Sequence, residues 1–378
     1  MRLLSLGKGA TPVGLDIGSS TFRIAQLKAS AEKPILVSYS STKAPKGLID
    51  EGEITDVDGV AKVLASLWRT AKVTDKRVIV GVANQKVIVR VIEMPAMTET
   101  ELRSAIKYQV SDYIPIPVEE AILDFQILSE HVNDRLERMM DVLLVAARKD
   151  MVENVVAAIE RAGLRPVTVD ASSLAFARAV TSEKPKSFIG GEAGAEEVTA
   201  MINIGSALSD IVVVEDSTPR FTRVSSIGGN TFTEAIANHL GVTFEKAEDL
   251  KIKIGLPSQN GKGKLAGVGP DVSEHVEAVH DVLEREMVKF MAEVRRSLDY
   301  YLAQASKVES IGKIVVTGGG AKLKNFQSYL KESLKIEVEF GRPLQNVQVS
   351  NNLHRAGVED EEFSLAICIG LAARGLER

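Results

Sequence analysis

Two stretches of this chain combine an acid or amide, a glycine and hydroxyl side chains in the same order. DIGSSTFRI begins at Asp16 and NIGSALSDI begins at Asn203, and each follows an apolar run and has an isoleucine eight residues after its first residue. Glycine lets backbone N–H groups approach phosphate oxygens, and consecutive N–H groups form a nest that binds anions. The two stretches are therefore predicted to be phosphate-binding hairpins in two related lobes that face each other. The alternative is that both are ordinary strand–glycine–strand turns with a buried aspartate.

The side chains of the two hairpins divide into groups that suit an anion and groups that suit a cation. Ser19, Ser20 and Ser206 can donate hydroxyl hydrogen bonds to a phosphate. Asp16 would repel a phosphate, so a role on Mg²⁺ or on its bound waters fits it better. Asn203 stands where the first hairpin has this acid and offers only a neutral carbonyl oxygen.

A third glycine cluster, Gly318, Gly319 and Gly320, lies between a predicted strand and a predicted helix. A flat ring or a ribose could lie there against bare backbone. The G-x-G-x-x-G dinucleotide pattern is not matched, because Leu323 stands at its sixth position. The stretch 261–269 (GKGKLAGVG) lacks both the phosphate-loop spacing and a preceding strand, and it is predicted to be a solvated loop.

The composition limits the class of protein. The 378 residues, of which 26% are charged and 45% hydrophobic, predict a globular chain of two or three structural units. A net charge of -5 argues against a surface built to bind nucleic-acid phosphates. Cys368 is the one cysteine, which fits a reducing compartment. No apolar run approaches the ~20 residues of a membrane span, so the chain is expected to be cytoplasmic and to reach a membrane only through a partner.

The apolar runs alternate between strand and helix periods, which predicts an α/β architecture. Helices are predicted at 56–72, 99–112, 151–162 and 273–305, the second capped by Thr98 with Glu101 three residues on. A self-contained inserted unit is predicted to open with a pair of strands in RVIVGVANQKVIVRVIEM.

The predicted organisation has seven segments. They are the first-lobe core with the first hairpin (1–76), the inserted subdomain (77–164), a return to the first lobe followed by a surface loop (165–198), the second-lobe core with the second hairpin (199–230), its helical subdomain (231–304), second-lobe core with the triple glycine (305–350), and a C-terminal helix in the first lobe (351–378).

Two phosphate hairpins followed by a strand, three glycines and a helix resemble the order found in the actin, Hsp70 and sugar-kinase superfamily. The resemblance runs from Val13 to the end of the chain. Within that superfamily, the inserted unit and the run IKYQVSDYIPIPVEEAILDFQIL are similar to the type IV pilus assembly protein PilM family, which is related to the cell-division protein FtsA. The resemblance implies an actin-like two-lobe fold with a nucleotide cleft and an inserted small α/β subdomain.

The resemblance also implies roles for individual residues. Asp16 matches the metal-proximal acid, Arg23 stands where actin has a phosphate-binding lysine, and Asp210 is a second candidate for the metal. Asn203 departs from the family pattern, which usually has aspartate, so no catalytic residue is assigned. The remaining matched positions are expected to contact ATP or ADP: Gly18, Ser19, Ser20, Gly205, Ser206, Ser209, Gly228, Gly229, Glu248, Lys251, Gly318, Gly319 and Gly320.

By resemblance, the expected function is a cytoplasmic ATP-binding scaffold, with Mg²⁺, that docks the N-terminal tail of a PilN-like inner-membrane pilus protein. Loss of the acid at Asn203 could lower hydrolysis on the order of 10²–10³-fold, so the chain is expected to be at most a slow ATPase. One alternative is an FtsA-like filament-forming division protein. Another is a sugar-kinase-type phosphotransferase, for which no substrate base is found. Whether the chain forms a homodimer is left open.

Overall fold

The computed structural model of this chain describes residues 11–181, 198–258, 269–305, 308, 310–353 and 355–376. The predicted surface loop at 182–197 and most of the predicted loop at 261–269 lie outside the described residues. Two large sheets form the frame of the molecule, with helices on their outer faces and between them.

The first sheet has six strands, five of which form the first-lobe core. In spatial order they are β10 (Arg165–Ala171), β6 (Arg77–Val82), β1 (Val13–Ile17), β2 (Thr21–Lys28), β3 (Ile35–Lys43) and β16 (Gln348–Val349). Strands β1, β2 and β3 are antiparallel neighbours, while β6 and β10 extend the sheet in parallel from β1. A separate two-stranded hairpin consists of β4 (Ile49–Asp50) and β5 (Glu53–Ile54).

The second sheet has eight strands. In spatial order they are β15 (Glu337–Phe340), β14 (Lys313–Thr317), β11 (Thr199–Ile204), β12 (Ser209–Glu215), β13 (Thr218–Ser225), β7 (Ile88–Pro95), β9 (Arg138–Arg148) and β8 (Ala121–Val132). Strands β11, β12 and β13 are antiparallel, while β14 and β15 extend the sheet in parallel from β11. This connection pattern repeats that of β1, β2, β3, β6 and β10, so the two lobes share one topology.

The predicted strand pair at the start of the inserted unit is wrong. Strand β6 pairs with β1 and β10 in the first sheet, whereas β7 pairs with β9 and touches β13 in the second. Strands β7, β8 and β9 are thus joined to the second sheet at one residue pair, Arg90 with Phe221, while Met140 of β9 and Leu102 of α2 share a hydrophobic cluster of their own. The 77–164 boundary itself remains a prediction.

Eleven helices lie within the described residues. They are α1 (Val57–Ala71), α2 (Glu99–Gln109), α3 (Lys149–Arg161), α4 (Ser172–Val180), α5 (Gly229–Leu240), α6 (Phe244–Ile254), α7 (Pro270–Ser273), α8 (Val276–Gln304), α9 (Phe326–Leu334), α10 (Arg355–Asp360) and α11 (Ala366–Arg374). The predicted capping box at Thr98 and Glu101 is confirmed. Helix α2 ends at Gln109, before the predicted 112, and a 3-10 turn follows it.

Helices α4 and α11 lie between the two sheets. Their buried side chains, such as Phe176 and Ile369, share one core with Leu27 of the first sheet and with Met201 and Val212 of the second. This shared core joins the backs of the two hairpin-bearing sheets. None of the helices in the part of the chain that the structure describes is long and apolar enough to cross a membrane.

Candidate functional site

The two predicted hairpins have matching turns. The Gly18 N–H donates to the Thr21 carbonyl at 3.2 Å, and the Gly205 N–H donates to the Leu208 carbonyl at 2.9 Å. A Cβ atom at either glycine would lie 2.8 Å from that same carbonyl oxygen. The turn itself therefore requires glycine at both positions, whatever ligand it meets.

The first hairpin brings an acid and a cation together. Asp16 on β1 lies directly across from Arg23 on β2. Burial raises the pKa of Asp16 to about 6, although the positive charge of Arg23 opposes the rise. Arg23 forms an ion pair with Glu361 at 3.5 Å, while its Nε is buried without a hydrogen-bond partner among the described residues.

The second hairpin brings an amide and an acid together at the same two positions. Asn203 on β11 lies across from Asp210 on β12, and its Nδ2 donates to Oδ2 of Asp210 at 3.0 Å. The other oxygen of Asp210, Oδ1, is buried and lacks a partner in the described part of the chain. Burial raises the pKa of Asp210 to about 6; the Asn203 hydrogen bond opposes this rise and the charge of Asp16 adds to it. The charge of Asp16 thus acts on the acid of the second hairpin.

The serines of the hairpins have two different environments. Ser209 is fully buried, and its hydroxyl donates to the Ile227 carbonyl at 2.6 Å. Ser19 and Ser206 are half-buried, and Ser20 is exposed at its turn. The hydroxyl proton of Ser209 is thus used within the protein, whereas the other three serines lie at the surface of the turns.

The first residues of α5 are hydrogen-bonded to the turn of the second hairpin. The Gly229 N–H donates to the Gly205 carbonyl at 2.9 Å, and the Asn230 N–H donates to the Ser206 carbonyl at 2.7 Å. The Gly228 N–H donates to the Thr231 hydroxyl at 3.3 Å. These three N–H groups at the helix start therefore already have acceptors, and the contacts fix the direction in which α5 leaves the turn.

Glu248 and Lys251 of α6 form a closed network with α5. Lys251 Nζ donates to the Gly229 carbonyl at 2.9 Å and to Thr233 Oγ1 at 2.7 Å, and it pairs with Glu248 at 2.7 Å. Burial lowers the pKa of Lys251, and Glu248 opposes this shift. Because an ammonium group has three donors, the lysine is satisfied within the protein.

The sequence predicts that the triple glycine leads directly into a helix, but the structure differs. Gly319 and Gly320 lie in a 3-10 turn, and α9 begins only at Phe326. Gly318 has a φ of 88°, and a Cβ there would lie 2.7 Å from Oδ1 of Asn203. The glycine loop therefore packs against the second hairpin.

The sequence analysis missed a C-terminal segment that contacts the glycine loop and the first hairpin. The Phe363 carbonyl accepts from the Gly318 N–H at 2.8 Å and from the Thr317 hydroxyl at 2.9 Å. Glu361, two residues earlier, holds Arg23 of the first hairpin. The acidic run VEDEEF is the only sequence signal at this place, and it does not reveal a contact with Arg23.

The buried unpartnered atoms fit a magnesium–nucleotide ligand. Arg23 Nε is a donor suited to a phosphate oxygen, and Asp210 Oδ1 is an acceptor suited to a cation or its water. Within the described ranges, no group of three or more His, Cys, Asp or Glu side chains could hold a metal ion. Mg²⁺ commonly binds one or two carboxylates and completes its shell with phosphates and waters, so Asp16 and Asp210 are a fitting pair.

A groove of about 540 Å³ lies between β7 and β13, and its lining extends to Ile227, whose carbonyl accepts from Ser209 of the second hairpin. Among the described residues, these two strands pair with each other at one position, Phe221 with Arg90. Beyond this pair, the groove is lined by residues of both strands and by Glu293 and Tyr300 of α8. Two strand edges that separate after one pairing leave backbone groups without ladder partners along the groove.

Comparisons with known proteins support the predicted fold. A family model described as type IV pilus assembly protein PilM matches residues 14–376. The cell division protein FtsA of Enterococcus hirae is 24% identical over 370 residues, which cover 90% of this chain and 80% of that protein.

Two solved structures superpose over nearly the whole chain. The "PilM-PilN type IV pilus biogenesis complex" has a TM-score of 0.78 and 26% identity, and the match covers 97% of this chain and 99% of that one. MreB5 of Spiroplasma citri bound to ADP has a TM-score of 0.50 and 13% identity, with 95% and 94% covered. The predicted actin-like α/β fold class is confirmed.

Proposed function

The chain belongs to the type IV pilus assembly protein PilM family, and on that premise we propose that it is a nucleotide-binding scaffold of a pilus or related secretion machine. It binds ATP or ADP with Mg²⁺ between the two hairpins. It docks the N-terminal tail of a PilN-like inner-membrane protein and hydrolyses ATP slowly or not at all. In this proposal the chain works at the cytoplasmic side of the inner membrane, which it reaches through that partner.

The observation that carries the nucleotide proposal is the pair of facing hairpins with unpartnered buried atoms. Arg23 Nε and Asp210 Oδ1 each lack a hydrogen-bond partner among the described residues. A buried polar atom without a partner costs about 1–3 kcal/mol. A phosphate at Arg23 and a hydrated Mg²⁺ near Asp16 and Asp210 would satisfy both atoms.

Slow hydrolysis follows from the second hairpin. Mg²⁺, when bound, stabilises phosphate charge and lowers the pKa of bound water. Asn203 offers a neutral amide to that water, and its Nδ2 is already engaged with Asp210 at 3.0 Å. The residues of the hairpin can therefore orient a nucleotide and its ion but lack the second acid of the family pattern. Ser209, which has its place in that pattern, is committed to the Ile227 carbonyl.

The groove between β7 and β13 is the proposed place for the partner tail. The two strands separate after Phe221 and Arg90, so an extended peptide could bond to the backbone edges on either side. A PilN partner is named in the similar complex, and an N-terminal tail is a chain end that can enter such a groove in extended form. Tyr300, whose ring is tilted against that of Phe221 with the centroids 5.7 Å apart, offers an aromatic wall.

The test of the nucleotide site is calorimetry with MgATP and MgADP on the wild type and on Asp16→Ala. We expect micromolar-range binding by the wild type and weaker, less magnesium-dependent binding by the variant. Asp170→Ala is the matched control, because Asp170 is a half-buried acid of the same sheet that pairs with Arg178 at 3.1 Å. Unchanged affinity in Asp16→Ala would contradict the metal assignment.

The test of the groove uses a synthetic peptide of the first residues of the PilN-like protein from the same organism. We expect Tyr300→Ala to weaken peptide binding about 5- to 30-fold, which corresponds to about 1–2 kcal/mol for loss of an aromatic contact. Tyr108→Ala is the control, since Tyr108 is 86% exposed on α2 and is not among the described residues that line the groove. Equal losses in both variants would argue against this groove.

The distant FtsA likeness leaves a filament as the second candidate, since E. hirae FtsA matches 90% of this chain. Sedimentation with MgATP separates the two functions. Soluble protein is expected for a scaffold, and abundant pelleted filaments would favour the FtsA-like function.

A further inference from the structure

Glu361 is the acid that forms an ion pair with Arg23 in this structure. It lies just before the 3-10 turn Glu362–Leu365, and its side chain reaches Arg23 at 3.5 Å across from the first hairpin. The side chain of Arg23 is 19% exposed and that of Glu361 is 38% exposed. Both side chains are therefore partly accessible to a ligand.

Arg23 stands between two carboxylates. Asp16 faces it from the neighbouring strand and Glu361 from the C-terminal segment, while its Nε has no acceptor among the described residues. One guanidinium next to two acids gives this place a net charge of about -1 when both acids are ionised, which opposes a polyphosphate. Mg²⁺ can offset Asp16, whereas the counter-ion of Glu361 is Arg23 itself.

The position of Glu361 also links it to the glycine loop. The Ser364 N–H donates to the Glu361 carbonyl at 2.8 Å, and Phe363 accepts from Gly318 and Thr317. Through this turn, Glu361 is joined to the segment that contacts the glycine loop.

We propose that Glu361 competes with the nucleotide phosphate for Arg23, so that it neutralises the arginine in the empty cleft and is displaced when nucleotide binds. This inference rests on the proposed nucleotide function. Glu361 then sets the affinity of the site: it weakens the binding of nucleotide and selects for ligands with enough phosphate charge to displace it.

The experiment compares MgADP and MgATP binding by calorimetry in the wild type and in Glu361→Gln. We expect Glu361→Gln to bind both nucleotides about 3- to 10-fold more tightly, as for removal of a partly exposed competing charge. Glu361→Asp keeps the charge on a shorter side chain, and an intermediate affinity is expected. Glu362→Gln is the matched control, because this neighbouring acid pairs with Arg342 at 3.4 Å, and its affinity should equal that of the wild type.

A double variant separates competition from a merely structural effect. With Arg23→Gln present, Glu361→Gln should raise the affinity much less than it does in the Arg23 protein, because only the direct repulsion of the phosphate by Glu361 is then left to remove. An undiminished gain without Arg23 would overturn the proposal, as would equal or weaker binding by Glu361→Gln in the Arg23 protein. If neither the wild type nor Glu361→Gln binds nucleotide, the proposed function fails as well. If both bind with equal affinity, only the role of Glu361 fails.

Discussion

The two hairpins share a backbone and differ in the charges that their strands bring together. In the first, Asp16 is followed seven residues later by Arg23; in the second, Asn203 is followed by Asp210 at the same interval. The glycine hydrogen bonds and the close approach of the glycine to the carbonyl three residues on are nearly the same in both. One turn geometry therefore carries two different sets of side chains.

Because of this difference, the two hairpins offer different charges to a ligand. The first hairpin has an acid and a cation and is close to neutral, so it can offer a donor to an anion. The second has one acid whose only polar partner on the opposite strand is an amide, so it carries an uncompensated negative charge. The first hairpin therefore supplies the donor for a phosphate, each hairpin supplies one acid for the cation, and repeating the turn does not repeat the chemistry.

Asn203→Asp makes the second hairpin resemble the family pattern and has the largest expected effect. We expect ATP hydrolysis to rise by up to about 10²–10³-fold, because a charged oxygen would then act on the metal-bound water. Phosphate release in single-turnover and steady-state assays measures it. Asn84→Asp is the control, since it places a new acid at another buried asparagine. If hydrolysis does not rise, Asn203 is not what limits it.

Removal of the acid in the second hairpin is expected to stabilise the protein at neutral pH. A pKa of Asp210 near 6, against 3.8 in an unperturbed carboxyl, means that the folded state holds more protons between these values, so its stability falls as the pH rises through that window. Asp210→Asn should therefore gain up to about 3 kcal/mol at pH 7 and almost nothing below pH 4. Urea unfolding at pH 4, 5.5 and 7 measures the gain.

The same substitution tests whether the hairpins face each other. The charge of Asp16 contributes to the raised pKa of Asp210. In an Asp16→Asn background, the gain from Asp210→Asn should therefore be smaller, because that repulsion is already gone. Strictly additive gains would place the two acids too far apart to share one ion.

Much of the fold and part of the site follow from local sequence signals. The twin turns, helix α1 and the capping box at Thr98 depend on neighbouring residues, so the sequence predicts them correctly. The pairing of β6 and β7 fails because strand partners come from distant parts of the chain, and two adjacent strands can enter different sheets.

The network around the site illustrates the same limit. The hydrogen bond of Ser209 to Ile227 and the contact of Glu361 with Arg23 join residues that only the folded chain brings together. A side chain's type can indicate its chemistry, but whether its donors remain available depends on these tertiary contacts. The predicted contacts of Ser209, Glu248 and Lys251 with nucleotide remain untested for this reason.

Arg23 gives the third prediction, on the anion-binding side of the comparison. Loss of a charge-assisted hydrogen bond costs about 1.5–3 kcal/mol, so Arg23→Ala should weaken MgADP binding about 10- to 150-fold. Arg23→Lys keeps the charge but not the fork and should retain part of the affinity. Arg77→Ala is the control, because Arg77 pairs with Asp75 at 2.7 Å in the same sheet. Equal affinities in Arg23→Ala and the control would remove the phosphate role from the first hairpin.

The smallest effect tests the shared backbone itself. Gly18→Ala and Gly205→Ala each place a Cβ 2.8 Å from a carbonyl oxygen, so both should destabilise the fold by about 1–3 kcal/mol and by similar amounts. Gly269→Ala, where a Cβ meets nothing within 4 Å, should change stability by less than about 0.5 kcal/mol. Unfolding midpoints measure all three variants. Suppose that the alanine substitution destabilises the fold strongly at one hairpin and not at the other. The two turns would then share their hydrogen bonds but differ in how well the backbone can shift to accept a Cβ atom, so similar geometry would not mean similar energetics.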